Sequence, residues 1–120
     1  MAGFSFVADT NFLIAVHEGK SNVVPFLEGT AMVSVISEIE LLGWYKLSPN
    51  EKRKLEDLLN DCVIIELTSE IKKLTISLRQ QYKIKTPDAI IAATSQFLSL
   101  PIVTADKGFK GIERIELILI

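Results

Sequence analysis

The sequence predicts an α/β domain built on a mainly parallel β-sheet, and three observations carry that prediction. Short runs of β-branched and apolar residues alternate with stretches of helical apolar periodicity, the pattern of strand-helix-strand units with right-handed crossovers. Twice, near opposite ends of the chain, an apolar strand runs straight into an acid: Phe4-Ser5-Phe6-Val7-Ala8-Asp9 and Ile102-Val103-Thr104-Ala105-Asp106. In parallel sheets ligands gather beyond the carboxyl ends of the strands, where strand order reverses, so neighbouring strands would place both acids in one crevice. A length of 120 residues suits one domain, residues 1–120, with helices beside a two-sided sheet, and is too short for a second core.

Composition narrows the function classes. With 48% hydrophobic and 23% charged residues the chain should fold as a globule. A formal charge of -2 provides no basic field of the kind that holds nucleic acid mainly through its phosphates. An acidic pocket binds phosphates by another route, through a divalent cation, and Lys72, Lys73, Arg79, Lys83, Lys85, Lys107, Lys110 and Arg114 are available as a basic rim. Cys62, the only cysteine, makes no internal disulfide and reads as a small buried hydrophobe. No window approaches 18 consecutive apolar residues, and no basic segment precedes the first strand. The expectation is a cytoplasmic protein with no membrane partner.

Taken in order, Phe4 to Ala8 is the first strand, and Asp9, Thr10 and Asn11 are all residues that cap helices. With Asp9 assigned to a site, the cap falls to Thr10 or Asn11. A helix runs from Asn11 to about His17, where lone His17 suits a helix C-terminus, and Gly19 stops it. Ser21 caps a short second helix over Val23 to Leu27, and Thr30 to Val35 is the second strand. Ser34 and Ser37 are equally good caps for the next helix, about Ile36 to Leu47. That helix carries Glu38 and Glu40, about 200° apart around its axis, so at most one of them faces a shared pocket. Ser48, Pro49 and Glu51 form a strong start signal for a helix with Leu55, Leu58 and Leu59 as its buried stripe.

Cys62 to Ile65 is the third strand, and Thr68 or Ser69 caps a helix expected to bury Ile71, Leu74, Ile76 and Leu78. Thr86-Pro87-Asp88 opens the most apolar helix, Ala89 to Leu100, in which Ile90, Ile91, Ala92, Ala93 and Phe97 leave little polar face. Such a helix is buried, and its N-terminus aims Asp88 inward. Pro101 stops it; Ile102 to Thr104 and Ile115 to Ile120 supply the last two strands.

Four acids therefore come forward together: Asp9, one of Glu38 and Glu40, Asp88 and Asp106. Two unit charges about 5 Å apart repel by roughly 3 kcal/mol at an effective dielectric near 20, so such a cluster is either partly protonated or holds a cation. Hard oxygen donors without histidine or cysteine select Mg²⁺ or Mn²⁺. Ions of that kind, held by carboxylates and water, suit phosphodiester chemistry.

At this point the motifs match a family. Asp9-Thr10-Asn11, Ser37-Glu38-Ile39-Glu40-Leu41-Leu42-Gly43, Thr86-Pro87-Asp88-Ala89-Ile90-Ile91-Ala92-Ala93 and Val103-Thr104-Ala105-Asp106-Lys107-Gly108-Phe109 together resemble the PIN-domain ribonucleases, especially the short VapC-like toxins. The resemblance spans residues 6 to about 112 and implies a PIN-like three-layer sandwich with helices on both faces of the sheet. It also implies RNA cleavage dependent on Mg²⁺ or Mn²⁺, homodimerisation and inhibition by a small antitoxin protein. By position, Asp9 and Asp88 become primary metal ligands, Glu40 and Asp106 complete the acidic set, and Asn11 and Thr104 support the site by hydrogen bonds. The sequence departs from the pattern at Gly43, which lies three residues after Glu40 rather than four. The Glu-Leu pair assigns Glu40.

Two other classes compete. A phosphoacceptor signalling domain needs its aspartate after the third strand, but Ile65 is followed by Glu66-Leu67-Thr68. A catalytically silent PIN-like module that binds RNA or protein has no need of all four acids.

Overall fold

The computed structural model describes residues 3–120. In chain order its elements are β1 (Ser5–Ala8), α1 (Thr10–His17), a 3-10 helix (Ser21–Phe26), β2 (Thr30–Ser34), α2 (Val35–Leu42), α3 (Pro49–Asn60), β3 (Val63–Ile65), α4 (Ser69–Gln81), α5 (Thr86–Leu98), β4 (Ile102–Thr104), a 3-10 turn (Lys107–Phe109) and β5 (Leu117–Leu119). The sheet order is β3-β2-β1-β4-β5 and every neighbouring pair is parallel. The first strand is thus the middle one, with Ala8 in register with Val103 of β4. After β1 the chain steps outward through β2 and β3, then crosses back to place β4 on the other side. The reversal lies between β1 and β4.

Alternation along β1 makes the three layers. Phe6 and Ala8 face a core with Phe12 and Leu13 of α1, Leu41 of α2, and Leu55 and Leu59 of α3. Val7 faces the opposite core, with Ile71 and Leu78 of α4 and Ile91, Ala92 and Ala93 of α5. A strand covered on both faces has no use for a polar side, which is why the first strand reads as nearly continuous apolar sequence. Four phenylalanines lock the first layer: Phe6 stands edge-on to Phe12 at 5.3 Å and to Phe26 at 5.8 Å, and stacks on Phe4 at 5.4 Å. Gly29 lets β2 begin beside them, because a Cβ there would sit 3.0 Å from the Phe4 carbonyl and 3.1 Å from the Phe6 ring.

Several local expectations are corrected. The cap of α1 is Asp9 itself, whose side chain accepts from the Phe12 N–H, so neither Thr10 nor Asn11 takes that role. Ser34 rather than Ser37 caps α2, accepting from the Ile36 N–H. The same helix ends at Leu42, well short of Leu47: Gly43 closes it, and a Cβ at Gly43 would lie 2.6 Å from the Ile39 carbonyl. Ser21 lies within the 3-10 helix, whose cap residue is Lys20. Ile76 is exposed, because the buried stripe of α4 runs Ile71, Thr75, Leu78 and the Thr75 hydroxyl is satisfied by the Ile71 carbonyl at 2.8 Å. Phe97 is exposed too, and α5 stops at Ser99 in the left-handed region before Pro101 is reached. Cys62 is half-buried; its thiol donates to the Leu58 carbonyl, and burial pushes its pKa up to about 11. The start of α3 is as expected, a complete capping box between Ser48 and Glu51. Among the described residues no helix is long and apolar enough to cross a membrane.

Candidate active site

A cleft opens beyond the carboxyl end of β1, lined by Asp9, Thr10, Asn11, Glu40, Asp88 and Ile91. Its floor follows from the sheet: β1 delivers Asp9 and the adjacent β4 delivers Thr104, both buried. The Thr104 hydroxyl donates to Asp9 Oδ2 and accepts from the Asp106 N–H at 2.9 Å. One buried hydroxyl thereby ties the backbone of Asp106 to the carboxylate of Asp9. The other Asp9 oxygen, Oδ1, accepts from the Phe12 N–H at 2.8 Å, so the cap of α1 also orients the acid. Asp106 caps its own 3-10 turn, with Oδ1 accepting from the Gly108 N–H at 2.8 Å.

The walls come from two helices. Asp88 lies in the first turn of α5, which begins with Pro87 near its N-terminus and buries most of its length, as its apolar sequence predicts. Of the two glutamates on α2 it is Glu40 that lines the cleft, while Glu38 does not. Thr10 holds Glu40 in place: its hydroxyl lies 2.7 Å from Oε1. Asn11 is exposed at the mouth. The structure thus brings Asp9, Glu40, Asp88, Asn11 and Thr104 together, with Asp106 beside them through Thr104. Nothing in the sequence marks Thr10 or Ser37 as part of the site beyond Thr10 standing directly after Asp9, which a capping motif also explains.

The acids feel one another. Burial raises the Asp9 pKa above its ordinary value, hydrogen bonds from Thr104 and Phe12 oppose the rise, and the charges of Asp106 and Asp88 add to it. Burial likewise raises Asp88, reinforced by Asp106 and Glu40 and partly offset by Lys85. Among the described residues the one ion pair joins Lys20 and Glu18 on the surface, so no basic side chain neutralises the cleft by contact. Also among the described residues, no three acidic, histidine or cysteine side chains stand close enough to form a ready-made metal cage. The donor set nonetheless suits a hydrated hard cation, because Mg²⁺ keeps several waters and takes only one or two carboxylates directly. Raised carboxyl pKa values in a cleft whose like charges are only partly offset, by Lys85, are the electrostatic condition that such an ion relieves.

An all-parallel sandwich with acids gathered at the reversal point of its strands defines a class of α/β proteins with an acidic cleft. Within that class the chain belongs to the PIN-domain family, whose profile matches residues 6–115. It resembles the VapC-like members. A toxin-antitoxin complex from Klebsiella pneumoniae contains a chain 32% identical, with 92% of this chain and 94% of that one covered and a TM-score of 0.80. VapBC2 from Rickettsia felis, bound to a promoter DNA fragment, shares the fold at 22% identity, with 95% and 97% covered and a TM-score of 0.82. DNA-bound VapBC from Salmonella typhimurium does so at 20% identity, with 95% and 96% covered and a TM-score of 0.78. A comparison with curated proteins finds no match.

Proposed function

We propose that this chain is a metal-dependent ribonuclease, hydrolysing RNA phosphodiester bonds, and the toxin of a toxin-antitoxin pair. The observation that carries the proposal is the convergence of Asp9, Glu40, Asp88 and Asp106, from four separate segments, around one cleft that no basic side chain neutralises by contact. The toxin-antitoxin complexes that share the fold, one of them at 32% identity, support the same reading. Asp9 and Asp88 would hold Mg²⁺ or Mn²⁺, with Glu40 and Asp106 completing the acidic set. When bound, such an ion acidifies a water molecule and offsets charge on the scissile phosphate.

The chain's own part is to position and to polarise. Thr104 and the Phe12 N–H aim the Asp9 carboxylate and favour its ionised form against the pull of burial. The first turn of α5 places Asp88 where the helix dipole favours a negative charge. Thr10 steadies Glu40, and the Asn11 amide at the mouth is free to meet a phosphate or sugar oxygen.

The proposal extends to the partner. Next to the cleft, and sharing Thr10 and Glu40 with it, an apolar groove of about 390 Å³ runs between α1, α2 and α3, walled by Ile14, Leu41, Trp44 and Leu55 and edged by Glu18 and Glu51. Its chemistry fits an antitoxin segment with an apolar side and a basic one. A homodimer belongs to the same reading, and sedimentation analysis reads it.

The decisive experiment is cleavage of RNA by the purified protein with Mg²⁺ or Mn²⁺, and its loss with EDTA. Asp9→Asn and Asp88→Asn should remain folded and lose about 100-fold or more in rate, the scale of a removed electrostatic group in an active site. If folded Asn variants cut as fast as the parent, these acids do not form the site. A short reading frame beside this one, whose product co-purifies with the chain and silences it, would distinguish a toxin from a housekeeping nuclease.

A further inference from the structure

Ser37 is completely buried, yet its hydroxyl serves neither of the usual ends for a serine inside a helix, an exposed position or a bond to the carbonyl one turn back. It faces Thr10 instead, 27 residues away in sequence, at 3.0 Å. The Thr10 hydroxyl in turn lies 2.7 Å from Glu40 Oε1. A hydroxyl has one proton, and a carboxylate only accepts. Thr10 therefore donates to Glu40, and Ser37 donates to Thr10. The direction of the chain of bonds is fixed by counting protons.

We infer that Ser37 is a positioning residue, a buried hydroxyl that acts through Thr10 to hold the Glu40 carboxylate at the mouth of the acidic cleft. The inference rests on the nuclease reading of that cleft. Glu40 is exposed and has three rotatable side-chain bonds, so without a fixed partner its carboxylate would sample several rotamers. A hydroxyl that receives a hydrogen bond is also a stronger donor, so Ser37 sharpens the bond that Thr10 makes. All three residues lie on elements fixed by the first core: Thr10 opens α1, and Ser37 and Glu40 lie three residues apart on α2. The relay thereby couples the spacing of two helices to the placement of one acid.

The test uses the full chain with four variants: Ser37→Ala, Thr10→Val, the double variant, and Thr10→Ser, which keeps the hydroxyl. Thr75→Val removes another buried hydroxyl, far from the cleft on α4, and controls for lost stability. Four quantities are read: kcat and KM for RNA cleavage with Mn²⁺, Mn²⁺ affinity by calorimetry, and contacts between the Glu40 side chain and residue 10 by NMR without metal. Ser37→Ala and Thr10→Val should each lower kcat about three- to ten-fold and weaken Mn²⁺ binding, the scale of one hydrogen bond, with KM for RNA unmoved. The double variant should lose no more than Thr10→Val alone, because Ser37 acts only through Thr10. Thr10→Ser, which keeps the hydroxyl, should recover most of what Thr10→Val loses, and Thr75→Val should cut like the parent.

If Ser37→Ala matches the parent in kcat, Mn²⁺ affinity and Glu40 contacts, or if the double variant shows the product of the two single losses, the relay is wrong while the nuclease reading stands. A parent protein that binds no Mn²⁺ and cuts no RNA overturns the nuclease reading, and the positioning role with it.

Discussion

Both oxygens of the Asp9 carboxylate are engaged within the protein, one by the Phe12 N–H and the other by the Thr104 hydroxyl, and each keeps acceptor capacity for something in the cleft. Thr104 is the more exacting partner, since it serves Asp9 and the Asp106 N–H at once from a fully buried position. Thr104→Val should therefore lower stability by about 1–3 kcal/mol in urea denaturation, the scale of buried groups left without partners, whereas Thr104→Ser should retain most of it. For the glutamates the expectation is sharper. Glu40→Gln keeps the shape and the acceptor for Thr10 but removes the charge, and should impair cleavage far more than Glu38→Gln. The opposite ranking would move the site to the other face of α2. At this scale the sequence is legible wherever position follows local order, as with Asp9 and Asp106 just after strands. It was silent on Thr10 meeting Ser37 and Glu40, because a contact between α1 and α2 exists only once the sheet has aligned them.

The elements show the same division. Strands and helices were legible from apolar periodicity, and the capping box of α3 from Ser48, Pro49 and Glu51 alone. Ser48→Ala should accordingly cost about 1 kcal/mol, read as a lower Tm, because it removes the hydroxyl that accepts from the Glu51 N–H and leaves only the bond from the residue-48 N–H to the Glu51 side chain. The sequence pattern overruns the end of α2 because helical apolar spacing continues through Trp44 and Leu47 while the backbone turns away at Gly43. No side chain fits there without moving the Ile39 carbonyl, so Gly43→Ala should destabilise by about 1–3 kcal/mol. Ile76 on α4 lies outside the core, against its apolar character, for a related reason. A buried threonine that satisfies its own hydroxyl looks polar in a sequence, and the neighbouring isoleucine looks like the better core residue.

For the whole molecule, the acidic cleft is a standing electrostatic load. The carboxyl pKa values of Asp9 and Asp88 are raised on folding, so their contribution to stability is fully present below the ordinary aspartate value near 3.9 and is lost as pH rises through the raised values. In metal-free protein, Asp88→Asn should match the parent Tm below about pH 4 and exceed it at pH 7. A parent that stays the more stable at pH 7 would mean that Asp88 is not strained by its neighbours. Mn²⁺ should reverse the order, since a ligand that binds only the folded form at a hundredfold excess over its Kd stabilises by about 2.7 kcal/mol. Its affinity should fall as the medium is acidified and the carboxylates take up protons.

The strand that carries Asp9 is flanked on both sides by parallel partners and covered on both faces by helices, so its peptide groups have no edge from which to open. Amide hydrogens of Phe6, Val7 and Ala8 should therefore exchange with deuterium only when the entire protein unfolds, while those of the outer strands β3 and β5 exchange through smaller openings. The acid at the end of β1 should thus be anchored in the slowest-exchanging segment of the chain. Heat or denaturant should scatter the cleft's carboxylates no earlier than the fold itself is lost.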